Sequence, residues 1–282
     1  MRTLNFLPVL LLSLSLAFCG EKGKEMGGKM AENAVVATKE MARPDFQNKG
    51  HEMIYEFVQK VGNHDKLTAK KDVVYTYTYQ TPDGKSDITT EKYLFADELS
   101  YAAFKTHERT LPKLEGDIEQ GYDGEDYWVK NNGDMVEDEE AVKHAAFIRP
   151  TNYYWFAMNQ KLLDPGLNYE YIAEKEVDGI TYDVVKISFK PADDPSDVYQ
   201  VYINKKTGLV DQFLFTVVDF GVVEKPMLMK VKYETVDGLM IATDRKYKMS
   251  TWEADVDDKP WISVKWSDIK FNNGLTPEDF KA

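Results

Sequence analysis

The spacing of apolar side chains predicts a helix near residue 50 and strands after residue 70. Between residues 45 and 61, the apolar positions share one side of a helix, which is typical of a helix packed on a core. Asp45 is the expected N-cap of this helix, and Gly62 is its expected end. The predicted apolar face consists of Phe46, Met53, Ile54, Phe57 and Val61.

After residue 70, apolar and polar positions alternate with a period of two, which is the period of a β-strand. Asp-Gly and Asn-Gly pairs separate several of these segments, and such pairs favour tight hairpin turns. The pattern therefore predicts one large antiparallel meander. The predicted strands are 73–79, 88–96, 99–107, 169–173, 180–189, 198–203, 209–217, 227–233, 239–249 and 261–271.

The segment 227–233 shows the alternation most clearly. Its odd-numbered residues are apolar or aromatic, and two of its three even-numbered residues are lysines. We therefore expect a sheet with one buried face and one face in water. The first set is Met227, Met229, Val231 and Tyr233, and the second is Leu228, Lys230 and Lys232.

A helical stretch interrupts the strands in the middle of the chain. Four acidic residues, 137–140, suit the electropositive start of a helix that runs through Phe147 and ends at Pro150. Thr151 and Asn152 are the expected caps of a second short helix, which the turn residues 164–166 end. We therefore predict two short helices here.

The first residues of the chain have the layout of a bacterial export signal. Arg2 precedes an apolar run over residues 6–18, and Cys19, the only cysteine in the chain, follows directly. We interpret residues 1–18 as a signal peptide and Cys19 as the site of lipid attachment. Because Phe18 is larger than signal peptidases prefer, cleavage after Ala17 or after Cys19 and an uncleaved leader are alternatives.

The next segment, 19–44, contains several glycines and no clear period, so we interpret it as a flexible tether that ends at Pro44. The remaining residues, 45–282, are predicted to form a single domain, which we expect to be a monomer. No thiol remains there to form a disulfide.

The formal net charge of −13 excludes the basic surface that nucleic-acid binding requires. Attachment to an anionic membrane would therefore depend on acyl chains.

No pattern of catalytic or metal-binding residues is recognisable in the sequence. The chain lacks the Gly-x-Ser-x-Gly motif, and no two histidines have the spacing of a helical zinc site. We therefore expect neither an enzyme nor a cofactor or metal site. The four histidines are His51, His64, His107 and His144.

The second middle helix carries the aromatic cluster 153–156, which allows two interpretations. The helix either seals a filled core or covers a hydrophobic cavity enclosed by a curved sheet, with methionines as adaptable lining. In the second case, the candidate ligand-binding residues are Trp155, Phe156, Met158, Met227 and Met229, with Met240 as a further lining residue.

Several segments resemble the lipoprotein-carrier superfamily of LolA and LolB. They are the hairpin 204–211, the segment 233–239 and the ending 271–280. The pairs and clusters at 123–124, 153–156 and 162–166 are more closely similar to a family of uncharacterised Gram-negative envelope lipoproteins.

The resemblance implies an α+β fold that is mostly antiparallel β. It would be a strongly curved, unclosed half-barrel with an N-terminal helix and short covering helices. In the carrier families, the cavity holds lipid or lipoprotein acyl chains and no residue is catalytic. We therefore expect an exported envelope protein, lipid-anchored in the outer membrane and facing the periplasm. An envelope interaction or structural module with a filled core is the alternative.

Overall fold

Within residues 43–189 and 196–282, which the computed structural model describes, thirteen antiparallel strands form one sheet. The predicted signal peptide, Cys19 and nearly all of the predicted tether lie outside these residues. The strands are β1 (Asp72–Gln80), β2 (Ser86–Leu94), β3 (Leu99–His107), β4 (Ile118–Tyr122), β5 (Tyr127–Asn131), β6 (Asp134–Met135), β7 (Leu167–Val177), β8 (Ile180–Phe189), β9 (Tyr199–Asn204), β10 (Val210–Val217), β11 (Val222–Val236), β12 (Leu239–Met249) and β13 (Ile262–Phe271).

The order of the strands leaves the sheet open. It runs β6-β5-β4-β3-β2-β1-β13-β12-β11-β10-β9-β8-β7, so the first strand pairs with the last in the middle. The two edge strands, β6 and β7, are joined in sequence by the helix α3 (Glu139–Lys161). This helix packs against the same face of the sheet as α1 (Lys49–Val61). The unclosed, mostly antiparallel fold that the sequence predicted is therefore confirmed.

Helix α1 begins three residues later than predicted. Its N-cap is Asn48, whose side-chain oxygen accepts a hydrogen bond from the backbone N–H of His51 at 3.1 Å. The prediction of Asp45 as the cap was therefore wrong. Gly62 ends the helix at a φ of 102°, a value that side chains disfavour, as the sequence indicated. A second helix, α2 (His64–Thr68), follows directly.

The two predicted middle helices are one continuous helix, α3, which contains Pro150 in its interior. Proline removes one backbone hydrogen bond and usually ends or kinks a helix. Here the hydroxyl of Thr151 donates a hydrogen bond to the carbonyl of Phe147 at 2.7 Å. Arg149, directly before the proline, is anchored to the sheet by an ion pair with Glu91. Helix α3 thus continues through Pro150 with a side-chain contact on each side of it.

The pattern predicted that the face of the sheet opposite the helices is exposed to water. Part of this face is buried instead. Leu228, predicted on the wet face, is buried in a cluster with Tyr182 and Leu214. Trp252 and Trp261, from the loop between β12 and β13, pack against this cluster. A covering loop, which the period of one strand cannot reveal, therefore buries part of the outer face.

No helix in the described part of the chain combines the length and the apolar character that crossing a membrane requires.

Candidate functional site

A cavity of about 350 Å³ lies between α3 and the inner face of the sheet. Most of its surface is apolar or aromatic, and the rest carries a small number of charged groups. The apolar and aromatic lining consists of Tyr77, Tyr79, Phe104, Phe147, Ile148, Trp155, Phe215, Val217, Met227, Met229, Tyr247 and Val264. Side chains therefore do not completely fill the space between α3 and this part of the sheet.

The position of the lining residues shows that the sheet is strongly curved. Phe104 lies on β3 and Phe215 lies on β10, and six strand spacings separate these strands in the sheet. In a flat sheet they would be roughly 29 Å apart, at about 4.8 Å per strand. Both side chains nevertheless border one cavity. The sheet must therefore bend around it, as the half-barrel prediction required.

Three of the five predicted ligand-binding residues, Trp155, Met227 and Met229, line this cavity. The other two, Phe156 and Met158, do not: each is 5% exposed and packs in the core. They line instead a second cavity of about 10 Å³, which is too small for an acyl chain.

Trp155 lines both cavities because it lies between them on α3. Its ring stacks on Phe213 at 6.0 Å between centroids and meets the ring of Phe215 edge-on at 5.1 Å. The side chain is only half-buried, whereas that of the adjacent Phe156 is buried. Trp155 therefore forms part of the cavity wall, and Phe156 belongs to the core.

One wall of the cavity is polar, which the sequence reasoning missed. On β2, the inward-facing positions are Asp87, Thr89 and Glu91, and all three side chains are buried and line the cavity. They lie directly across from Tyr79, Tyr77 and Tyr75 of β1, respectively. The alternation of β2 could have indicated this polar wall, because every second residue of a strand lies on the same face of the sheet.

Glu91 forms a buried ion pair with Arg149 of α3. Nη1 of Arg149 lies 2.8 Å from Oε2 of Glu91, and the two side chains are 1% and 0% exposed. The hydroxyls of Thr89 and Tyr93 also donate hydrogen bonds to this carboxylate, at 2.8 and 3.1 Å. Burial is the largest single influence on Arg149 and opposes its charge, but the Glu91 carboxylate and the neighbouring tyrosines together outweigh burial and raise the pKa of Arg149.

Asp87 also has a cationic partner. Its carboxylate lies 3.6 Å from the guanidinium of Arg109, which in turn lies 4.0 Å from the centre of the Tyr79 ring. The hydroxyl of Thr110 donates a hydrogen bond to Asp87 at 2.9 Å. Both cavity carboxylates are therefore neutralised by neighbouring arginines.

His144 of α3 is the only histidine among the described residues that line the cavity. Its Nδ1 is buried and has no hydrogen-bond partner within the described residues. Burial, followed by the charge of Arg149, lowers the pKa of His144, so the ring is neutral at pH 7. The described residues contain no cluster of three or more His, Cys, Asp or Glu side chains that could hold a metal ion.

A third arginine, Arg245 of β12, completes the charged part of the lining and is 4% exposed. Its guanidinium lies 3.7 Å from the centre of the Trp266 ring. Desolvation by burial lowers the pKa of Arg245 to about 10, so it keeps its charge at neutral pH. The site thus combines apolar walls with a few fixed charges, as small-molecule sites typically do.

A scan against protein-family models gives no match, and neither does a search of curated proteins. Among solved structures, the chain is similar to a LolA superfamily protein from Nitrosomonas europaea, with 10% sequence identity and a TM-score of 0.47. This similarity covers 83% of the present chain and 97% of the other.

Two further solved structures have similar values. A DUF1329 family protein from Desulfovibrio piger shares 15% identity at a TM-score of 0.44, with 82% and 97% of the two chains covered. A Vibrio parahaemolyticus domain described as an outer membrane lipoprotein-sorting protein shares 10% identity at a TM-score of 0.46, with 83% and 96% covered. The curved fold itself is established by the strand order and the cavity of this chain.

Proposed function

We propose that this chain is a lipoprotein of the cell envelope that binds a lipid or a lipoprotein acyl chain, without catalysis, in the cavity under α3. Cys19 carries the lipid anchor in this proposal, and the domain faces the periplasm from the outer membrane. The observation that carries the proposal is the cavity of about 350 Å³ within the half-barrel.

The chemistry of the lining supports a hydrophobic ligand. Sites for small molecules typically have volumes of roughly 300–1,000 Å³ and are mainly apolar with a few polar groups. The present cavity lies at the lower end of this range. Each methylene group that moves from water into such a site contributes about 0.8 kcal/mol, so a single alkyl chain of moderate length supplies enough binding energy.

Among the candidate residues, Trp155, Met227 and Met229 contact the ligand in this proposal because they line the cavity. Flexible methionine side chains can adapt to alkyl chains of different shapes. Phe156 and Met158 act indirectly by fixing α3 against the sheet, since both are buried in the core beside it.

A cavity-filling substitution tests the proposal. Met227→Trp places a larger ring in the cavity, so we expect the affinity for a neutral apolar fluorescent probe to fall about tenfold, which equals ~1.4 kcal/mol. Met249→Trp is the matched control, because Met249 lies directly across from Met227 on β12, is 48% exposed and does not line the cavity.

Probe titrations of the native chain and the two variants distinguish the possible outcomes. Weakened binding by Met227→Trp alone supports the proposal. Equal affinity in all three proteins contradicts it, because the probe would then bind elsewhere. A native chain that folds but binds no probe would favour the interaction module.

A further inference from the structure

Arg245 occupies a position where its neighbours in the sheet are apolar. On the adjacent strands, Val231 of β11 and Val264 of β13 lie directly across from it, and both are buried. Its own side chain is 4% exposed and borders the cavity. A guanidinium group has therefore been placed in the middle of the apolar inner face.

No anion in the described part of the chain neutralises this guanidinium. The Arg245 side chain forms no ion pair and no hydrogen bond with any described residue, and its Nε is buried without a partner. It stacks on the face of Trp266, and Tyr77 and Tyr247 line the cavity together with it. Stacking leaves the edge of the guanidinium, where its N–H donors point, free to bind an acceptor.

Arg149 shows what the fold does with a buried arginine that has a structural role. Both of its terminal nitrogens donate hydrogen bonds to Glu91, at 2.8 and 3.4 Å. Arg245 borders the same cavity and is buried to a similar extent, but it has no carboxylate. A buried charge without a partner is costly, so a group retained in this state indicates a partner supplied from outside the chain.

The charge of the cavity lining indicates what this partner must be. Two carboxylates and three guanidinium groups line the cavity, and His144 is neutral. The two carboxylates are paired with Arg109 and Arg149, so one positive charge remains, on Arg245. This local charge contrasts with the formal net charge of −13 of the whole chain.

We propose that Arg245 is the anchor for the headgroup of an amphiphile that carries a single negative charge, namely the carboxylate of a fatty acid, whose alkyl chain fills the apolar part of the cavity. This inference rests on the proposed function, because it assumes that the cavity holds a hydrophobic ligand. It adds the chemical class of the headgroup and the residue that selects it. The planar fork of an arginine matches a carboxylate with two parallel hydrogen bonds.

The test compares ligands that differ only in the headgroup. Dodecanoate, dodecanol and dodecyl phosphate are titrated against the native chain and against Arg245→Gln, Arg245→Met and Lys246→Gln. Lys246→Gln is the matched control, since Lys246 is the next residue along β12 and its side chain is exposed. Arg245→Met places an unbranched apolar side chain among apolar neighbours, which protects the test against a failure to fold.

We expect the native chain to bind dodecanoate about ten- to a hundredfold more tightly than dodecanol, the range for a hydrogen bond to a charged group. Both Arg245 variants should lose this preference and still bind dodecanol, and Lys246→Gln should keep it. A phosphate preference that depends on Arg245 would overturn the assignment of the ligand as a fatty acid. Equal binding of all three ligands would overturn the role of Arg245 but leave the proposed function intact. If none binds, the proposed function fails as well.

Discussion

Replacing Glu91 with alanine is expected to lower the free energy of unfolding by about 3–5 kcal/mol. The substitution leaves the guanidinium of Arg149 buried without its counterion, at a site where both side chains are at most 1% exposed. It also removes the acceptor for the hydroxyls of Thr89 and Tyr93. Urea denaturation followed by circular dichroism measures the change.

A double-mutant cycle separates the ion pair from the packing around it. Glu91→Leu alone and Arg149→Met alone should each destabilise the domain, because each leaves one buried charge without its partner. Glu91→Leu combined with Arg149→Met should recover much of the loss, since apolar replacements of a buried pair are often tolerated. A double variant that is as unstable as the sum of the single variants would contradict the coupling.

The exposed pair between Lys205 and Glu174 provides the matched control for this experiment. Both side chains are roughly half-exposed. Surface ion pairs contribute about 0–1 kcal/mol, so Glu174→Ala should change the free energy of unfolding by no more than this. If Glu91→Ala changed the free energy of unfolding by no more than Glu174→Ala does, the buried pair would not anchor α3 to the sheet.

The second large effect is expected at Phe156, directly beside the cavity residue Trp155. Phe156→Ala should lower the free energy of unfolding by about 3–5 kcal/mol, as is typical when a buried phenylalanine is truncated. Phe156 is 5% exposed, and its ring lies 5.1 Å from that of Tyr75 and 5.3 Å from that of Trp266. Thermal and urea unfolding both report this loss.

Substitution of the adjacent Trp155 should instead have a small effect on stability and a large effect on probe binding. Trp155→Ala removes part of the cavity wall from a half-buried position, so we expect a smaller loss of stability and a fall of at least about tenfold in probe affinity. If Trp155→Ala left the affinity unchanged, or destabilised the domain as much as Phe156→Ala, Trp155 would be a core residue and not a ligand contact.

The strands were predictable because their alternation is regular and tight turns separate them. The segments 99–107, 180–189 and 239–249 agree with β3, β8 and β12 to the residue. Strands β4, β5 and β6 were missed because β6 has only two residues and the other two do not alternate. In β4 the buried positions include Gln120 and Gly121, and in β5 the adjacent Trp128 and Val129 are both buried.

The continuity of α3 could not be predicted from the local sequence. Proline normally ends a helix, yet α3 continues through Pro150, and Arg149 directly before it pairs with Glu91, 58 residues earlier in the chain. Such long-range pairs leave no mark on the pattern of one segment. The same applies to the loop between β12 and β13, which covers Leu228 on the outer face.

The site was only partly visible in the sequence. Methionines and aromatic residues indicated an adaptable apolar lining, and Trp155, Met227 and Met229 do border the cavity. Phe156 and Met158 belong to the same helix, but the direction in which each side chain points depends on how α3 lies on the sheet. The strand period places Arg245 on the same face of β12 as Tyr247, but a lone arginine on a strand matches no catalytic motif, so the sequence did not single it out.

The measurement that tests the central claim most directly is native mass spectrometry of the purified chain, stripped of lipid and then mixed with dodecanoate. If the half-barrel holds an amphiphile, a complex of one dodecanoate per chain should form, and Met227→Trp should weaken it while Met249→Trp does not. A correctly folded chain that remains unliganded at saturating dodecanoate and dodecanol would contradict the account, because the cavity would then have no hydrophobic occupant.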